Sequence, residues 1–333
     1  MADGDWIILL SAAALAFSVI SYALLDGADL GVGMLMGVTR RARHRRAMAV
    51  SILPIWDANE TWLVLGGGGL LALFPKAYAV LLPALYIPFI IMFMALIVRA
   101  MALEFRDEAT RHGLKRIIDL LLGLGSWVAG MCQGAVLGTL VQGVSSRDGQ
   151  FSGTGWEWSG PFPIFCGAVL VVGYLWLGAC WLYWRTEDEL QSKVRAQAKA
   201  LSCLTIVLLM ILVGWTSTLA SQYATRLATP EILIPASVSM LTLTMLFFAG
   251  FRTQFHYLPL FCAIGVFVIG FVVMVATLYP LIVPPDVTLS NAASGPVSQR
   301  FMLIGFAVLI PMTLFYNTYG FRVFSGKIRP VKD

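Results

Sequence analysis

Two short acidic stretches interrupt a very apolar chain. The first is Leu25-Asp26-Gly27-Ala28-Asp29-Leu30-Gly31-Val32-Gly33. The second is Pro54-Ile55-Trp56-Asp57-Ala58-Asn59-Glu60-Thr61-Trp62. Asp26 and Asp29 are three residues apart, and so are Asp57 and Glu60; in a helix each pair shares one face. Asn59 and Thr61 add uncharged polar groups. Ionisable groups inside apolar runs are costly in a bilayer and mark function by default. Four carboxylates on neighbouring helices could form a hydrated proton-entry path from the cytoplasmic side. The competing reading is that they cap kinks or bond to nearby arginines, and Asp26 and Glu60 are the more structural candidates.

The stretches flank a basic loop, Thr39-Arg40-Arg41-Ala42-Arg43-His44-Arg45-Arg46. If both runs are helices, the chain turns back at this loop. Asp29 and Asp57 then face each other at similar depth, each roughly 16 Å from the nearest loop arginine at about 1.5 Å per residue. Asp57 would enter from the loop and lie about a third of the way into the membrane.

Composition sets the class. The chain has 333 residues, 59% hydrophobic and 12% charged, with a mean hydropathy of +0.81. Soluble domains carry about 25% charged residues, so this is an all-α, polytopic membrane protein forming one integral domain over residues 1–333. About nine spans are expected, at roughly 6–36, 51–74, 77–104, 116–142, 162–185, 199–221, 231–251, 255–280 and 299–324. The arrangement suggests a first four-helix bundle over 1–142, a peripheral helix at 162–185 and a second four-helix bundle over 199–324. The longer outer connections, 143–161 and 281–298, read as surface loops.

Of the 23 Lys and Arg, Lys76, Arg147, Arg226 and Arg300 lie on one side and the rest on the other. The positive-inside bias therefore puts the N-terminus outside and the C-terminus in the cytoplasm. It also accounts for the net charge of +5, and no basic face with interleaved aromatics suggests nucleic acid. The N-terminus lacks a positive n-region and reads as a retained helix. Gly27 and Gly31 mark a close-packing face beside the aspartates, as do Gly66 to Gly69 and Gly123, Gly125, Gly130, Gly134 and Gly138 on later segments.

Other chemistries find little support. The five cysteines are widely spaced with no Cys-x-x-Cys, and read as small buried apolar side chains. His44, His112 and His256 lie in or beside cytoplasmic loops. A membrane-buried haem needs axial ligands inside a span, so no haem ligand is expected here, and no metal ligand set appears either. Arg99, Glu104, Arg106 and Asp119 read as an interfacial salt-bridge cluster snorkelling to headgroups. Trp156, Trp158, Trp176, Trp181, Tyr183 and Trp184 read as belt residues, with a quinone or lipid groove as the alternative.

The residues Asp26 to Gly33, then Trp56-Asp57-Ala58-Asn59-Glu60 and Trp62, followed by the glycines at 66–69, resemble subunit II of cytochrome bd-type quinol oxidases. The basic hairpin sits where that family has it. Pro284-Pro285 to Asn291, and a last span containing Pro311, are similar as well. The resemblance covers nearly the whole chain, and its length is similar to the cyanide-insensitive branch. It implies a respiratory quinol:oxygen oxidoreductase of the bacterial inner membrane, in which the chain alone is not catalytic. It implies a heterodimer with a subunit I that carries haems b and d and oxidises quinol, with room for a small extra subunit and for a quinone. It also implies that Asp29 and Asp57, with Trp56 beside the second, belong to a cytoplasmic proton route. Two other readings stay open: a stand-alone proton-coupled secondary transporter, and an assembly subunit with inert aspartates.

Overall fold

The computed structural model describes residues 5–147, 149–323 and 326–328. The chain ends to which the orientation assigns outside and cytoplasm, including residues 1–4 and 329–333, lie outside the described residues. Thirteen α-helices are described. They are α1 (Asp5–Val38), α2 (Ala42–Ile52), α3 (Trp56–Leu73), α4 (Pro75–Ala84), α5 (Tyr86–Glu104), α6 (His112–Gln142) and α7 (Pro161–Arg185). There follow α8 (Asp188–Leu219), α9 (Ser221–Leu227), α10 (Pro230–Gly250), α11 (Leu258–Leu278), α12 (Leu289–Ala292) and α13 (Pro296–Val323).

Among the described residues, eight helices are long and apolar enough to cross a membrane: α1, α5, α6, α7, α8, α10, α11 and α13. The expected segment 51–74 differs. Ser51 and Ile52 close α2, a turn over 53–55 contains Pro54, and α3 begins at Trp56. Leu53 keeps helical backbone, but Pro54 has no N–H to continue the ladder and its ring crowds the preceding turn, which separates the two helices. α3 has 18 residues, about 27 Å at helical rise, but its first two turns carry Asp57, Asn59 and Glu60 and lower its hydropathy. It nevertheless returns along α1. Asn59 meets Asp29, a Cβ on Gly66 would lie 3.6 Å from Val19, and one on Gly69 would lie 3.4 Å from Leu15. The expected segment 77–104 is likewise two helices, α4 and α5, broken at Leu85 between Pro83 and Pro88.

The segment at 162–185 is not peripheral. α7 is the most enclosed of the eight, with 67% of its apolar window buried. Glycine explains the enclosure, because helices without Cβ atoms at the crossing can approach backbone to backbone. A Cβ on Gly31 of α1 would stand 1.8 Å from the Tyr174 carbonyl oxygen of α7. A Cβ on Gly178 of α7 would stand 2.4 Å from the Gly31 carbonyl carbon. α6 joins the same core: a Cβ on Gly134 would meet Gly167 of α7 at 2.5 Å, and one on Gly123 would meet Gly37 of α1 at 2.7 Å. α8, α10 and α13 are by contrast mostly exposed on this chain, at 11%, 6% and 17% buried.

The connections 143–161 and 281–298 are more than surface loops. Each contains a two-stranded hairpin: β1 (Ser146–Arg147) with β2 (Gln150–Phe151), and β3 (Leu281–Val283) with β4 (Val287–Thr288). The Val144 N–H donates to the Pro284 carbonyl at 2.8 Å, and Val283, Val287 and Val144 pack with α4 in one apolar cluster. Cys132, Cys166, Cys180 and Cys262 are buried, whereas Cys203 is exposed on α8.

Candidate functional site

The acidic stretches converge at the α1–α3–α5 seam. Asp26 and Asp29, on one face of α1, are 0% and 1% exposed. The Arg99 guanidinium of α5, itself fully buried, donates to Asp26 Oδ1 at 2.7 Å and lies 3.7 Å from Glu60 Oε1. Asn59 Nδ2 of α3 donates to Asp29 Oδ2 at 2.7 Å. Burying charge without a partner is prohibitive, and here the positive group reaches Asp26 from a third helix. Arg99 is therefore a centrepiece of the site and not part of an interfacial cluster. Its position, five residues before the end of an apolar helix, was the available signal.

The four expected carboxylates are not equivalent. Asp26 and Asp29 are enclosed, Glu60 is half-buried, and Asp57 is exposed on this chain. Asp57 does not face Asp29, because Asn59 occupies that position. Asp57 instead stands exposed in the first turn of α3. Beside it the Trp56 indole donates to Glu104 Oε1 at 3.2 Å.

A second polar set was not anticipated. Tyr174 Oη donates to Gln133 Oε1 at 2.8 Å, and Gln133 Nε2 donates to Tyr22 Oη at 2.7 Å. Tyr22 lies one turn before Asp26 on α1, so three buried or half-buried groups from α1, α6 and α7 continue the polar surface inward. None is charged, and they are far apart in sequence, so spacing could not reveal them.

The basic hairpin is latched at its base. Asp119 of α6, fully buried, accepts from Arg45 Nε at 2.5 Å and from Arg106 Nε at 2.7 Å. Arg45 also donates to the Thr39 carbonyl at 3.1 Å. Arg41 and Arg43 bind Glu189 at the start of α8. His44 is buried beneath them, and burial pushes its pKa below the ordinary imidazole value, helped by Arg43, Arg41 and Lys193 and opposed by Glu189.

The three histidines lie at a helix start or outside the long apolar helices, so none offers an axial haem ligand within a span. His44 is on α2, His112 is the exposed first residue of α6, and His256 lies between α10 and α11. Among the described residues, no three His, Cys, Asp or Glu side chains converge on a metal position.

Comparison with known proteins decides the family. The family described as cytochrome bd terminal oxidase subunit II matches residues 7–324. The chain belongs to that family. It is 27% identical to cytochrome bd ubiquinol oxidase subunit 2 of Bacillus subtilis, over 97% of this chain and 96% of the relative. It is 26% identical to cytochrome bd-I ubiquinol oxidase subunit 2 of Escherichia coli, over 93% and 92%. The solved bd oxidase from Geobacillus thermodenitrificans has the same fold, with a TM-score of 0.79 at 14% identity, covering 96% of this chain and 98% of that one. As a cytochrome bd subunit II, the chain is a multi-pass component of a respiratory quinol oxidase complex that contains haems and a subunit I.

Proposed function

We propose that this chain is the haem-free companion of a haem-bearing subunit I in a heterodimer, and that it lines a proton-uptake path from the cytoplasm. The observation that carries the reading is the enclosure of Asp29, with Asn59, Asp26, Arg99 and Glu60, at the end of a polar seam that opens beside Asp57. Reduction of oxygen to water consumes protons, and a proton cannot cross low dielectric without polar groups or water to carry it. Asp57 is the mouth, Glu60 the half-exposed step and Asp29 the enclosed acceptor. Asp26 is held by Arg99 and sets the local charge. Trp56 and Asn59 position the acids.

The same proposal places the N-terminus outside and the C-terminus in the cytoplasm of the bacterial inner membrane. α3 is then the ninth crossing, and the helices of 1–142 and of 199–324 form two bundles joined across the glycine-lined α7. It takes a quinol as the complex's electron donor. Cyanide insensitivity, which rests on chain length, is tested by cyanide titration of the complex. The mostly exposed α8, α10 and α13 offer apolar surface for lipid, subunit I or a small extra subunit.

The test is purification of the tagged chain in mild detergent. A second membrane subunit and haem absorbance should co-purify in constant ratio with quinol oxidase activity. A stable product without haem or partner that moves protons by itself would instead support the transporter reading.

A further inference from the structure

The last helix carries a buried amide that the site described so far does not use. Asn317 of α13 is 6% exposed, and neither its Oδ1 nor its Nδ2 has a hydrogen-bond partner among the described residues. Buried amides are normally satisfied by protein or ordered water. α13 buries Gln299, Phe306, Thr313 and Asn317, a spacing that keeps them in one stripe.

Two proximities fix what that stripe faces. A Cβ on Gly69 of α3 would lie 2.7 Å from the Phe306 ring. Phe321, fifteen residues after Phe306, lines a small cavity with Pro54 and Ile55. Ile55 is fourteen residues before Gly69, so α13 and α3 run antiparallel with matched rise. Asn317 is therefore level with Ala58 and Asn59, and Thr313 with Trp62. On α3, Asn59 Oδ1 and Trp62 Nε1 also lack protein partners. The amide nitrogen of that same Asn59 is bonded to Asp29. Four unmet polar groups thus lie on two facing helices, at the depth of the enclosed aspartate. Buried polar groups at membrane depth that the protein leaves unpaired are satisfied by ordered water.

We infer that Asn317 is a positioning residue: it holds a water bridge from α13 to α3 that ends on the Asn59–Asp29 pair. This rests on the proton-path reading and adds to it a second side, from which Asp29 meets water. In transfer each bridging water accepts a proton on its oxygen and releases another from the same oxygen, and Asp29 takes that proton. No redox step is involved. Glu60 of α3, Asp26 of α1 and Arg99 of α5 are the other charged groups around the pair.

The experiment uses the assembled two-subunit complex, with haem absorbance as the measure of assembly. Asn317→Leu fills the bridge with hydrocarbon. Quinol oxidase turnover should fall severalfold at unchanged KM for quinol, and the solvent deuterium isotope effect should rise above the parental value. Asn317→Ser should retain more than half the parental turnover. Parental turnover and isotope effect in Asn317→Leu, with Asp29→Asn measured alongside and slow, overturn this inference alone. Asp29→Asn at the parental rate overturns the proton-path reading beneath it. If the leucine variant does not assemble, alanine and serine decide: serine above alanine by severalfold supports the bridge, and equal rates overturn it.

Discussion

The Asp29 carboxylate accepts a hydrogen bond from the Asn59 amide across the α1–α3 seam, at 2.7 Å and with neither side chain exposed by more than 1%. A neutral donor leaves Asp29 free to hold or release a proton, which a formal ion pair would resist. Asn59→Leu removes the donor at similar size. Turnover of the assembled complex should fall severalfold while haem content is unchanged. Steady-state oxygen consumption with saturating quinol checks this.

Arg99 and Asp26 form the opposite kind of contact. Removing one partner of a buried ion pair costs about 3–5 kcal/mol, because the other charge stays buried and unpaired. Arg99→Leu should therefore reduce the yield and melting temperature of the complex. Arg99→Leu combined with Asp26→Asn should recover much of the loss, a coupling that thermal unfolding of the single and double variants would measure.

Gly31 sets the distance between α1 and α7. A methyl group there would stand 1.8 Å from the Tyr174 carbonyl oxygen. Gly31→Ala should force the helices apart and sharply reduce assembled haem-bearing complex. Gly67→Ala meets nothing within 4 Å of this chain and should assemble at a higher level. Immunoblot yield beside haem absorbance distinguishes the two.

His44 should make the basic-hairpin latch acid-sensitive. Its folded pKa is depressed by burial below the ordinary value of about 6.5. The neutral ring's contribution is thus present above that unfolded value and lost as pH falls through the lower folded value. His44→Gln should flatten the loss of thermal stability between about pH 6.5 and the lower folded value. Equal pH dependence in the two proteins would contradict it.

Much of this was legible in the chain itself. Long apolar runs gave the spans, and Gly27 with Gly31 gave a close-packing face that the structure presses on Tyr174. Asp26 and Asp29 announced a site because charge inside a span must be explained. What stayed hidden depended on contacts between distant segments. Arg99 looked interfacial until α5 was set beside Asp26. Asp57 looked like the partner of Asp29 because a continuous helix through Pro54 would have carried it deeper. The central place of α7 followed from glycines on α1 and α6 as much as from its own sequence.

Asp57 is exposed on this chain, where water offers alternatives. Asp57→Asn should assemble and slow turnover less than the same change at Asp29. Proton-uptake rates of the two variants under matched quinol and oxygen would rank them.

The most direct measurement is quinol oxidase turnover of the Asp29→Asn complex across pH. Asparagine keeps the size and can still bond to Asn59, but it cannot carry a proton. The expected result is full assembly, a parental haem spectrum and turnover lower by about tenfold, equivalent to roughly 1.4 kcal/mol on the limiting barrier. Full assembly with parental turnover at every pH would show that Asp29 carries no proton and that the enclosed acids are structural.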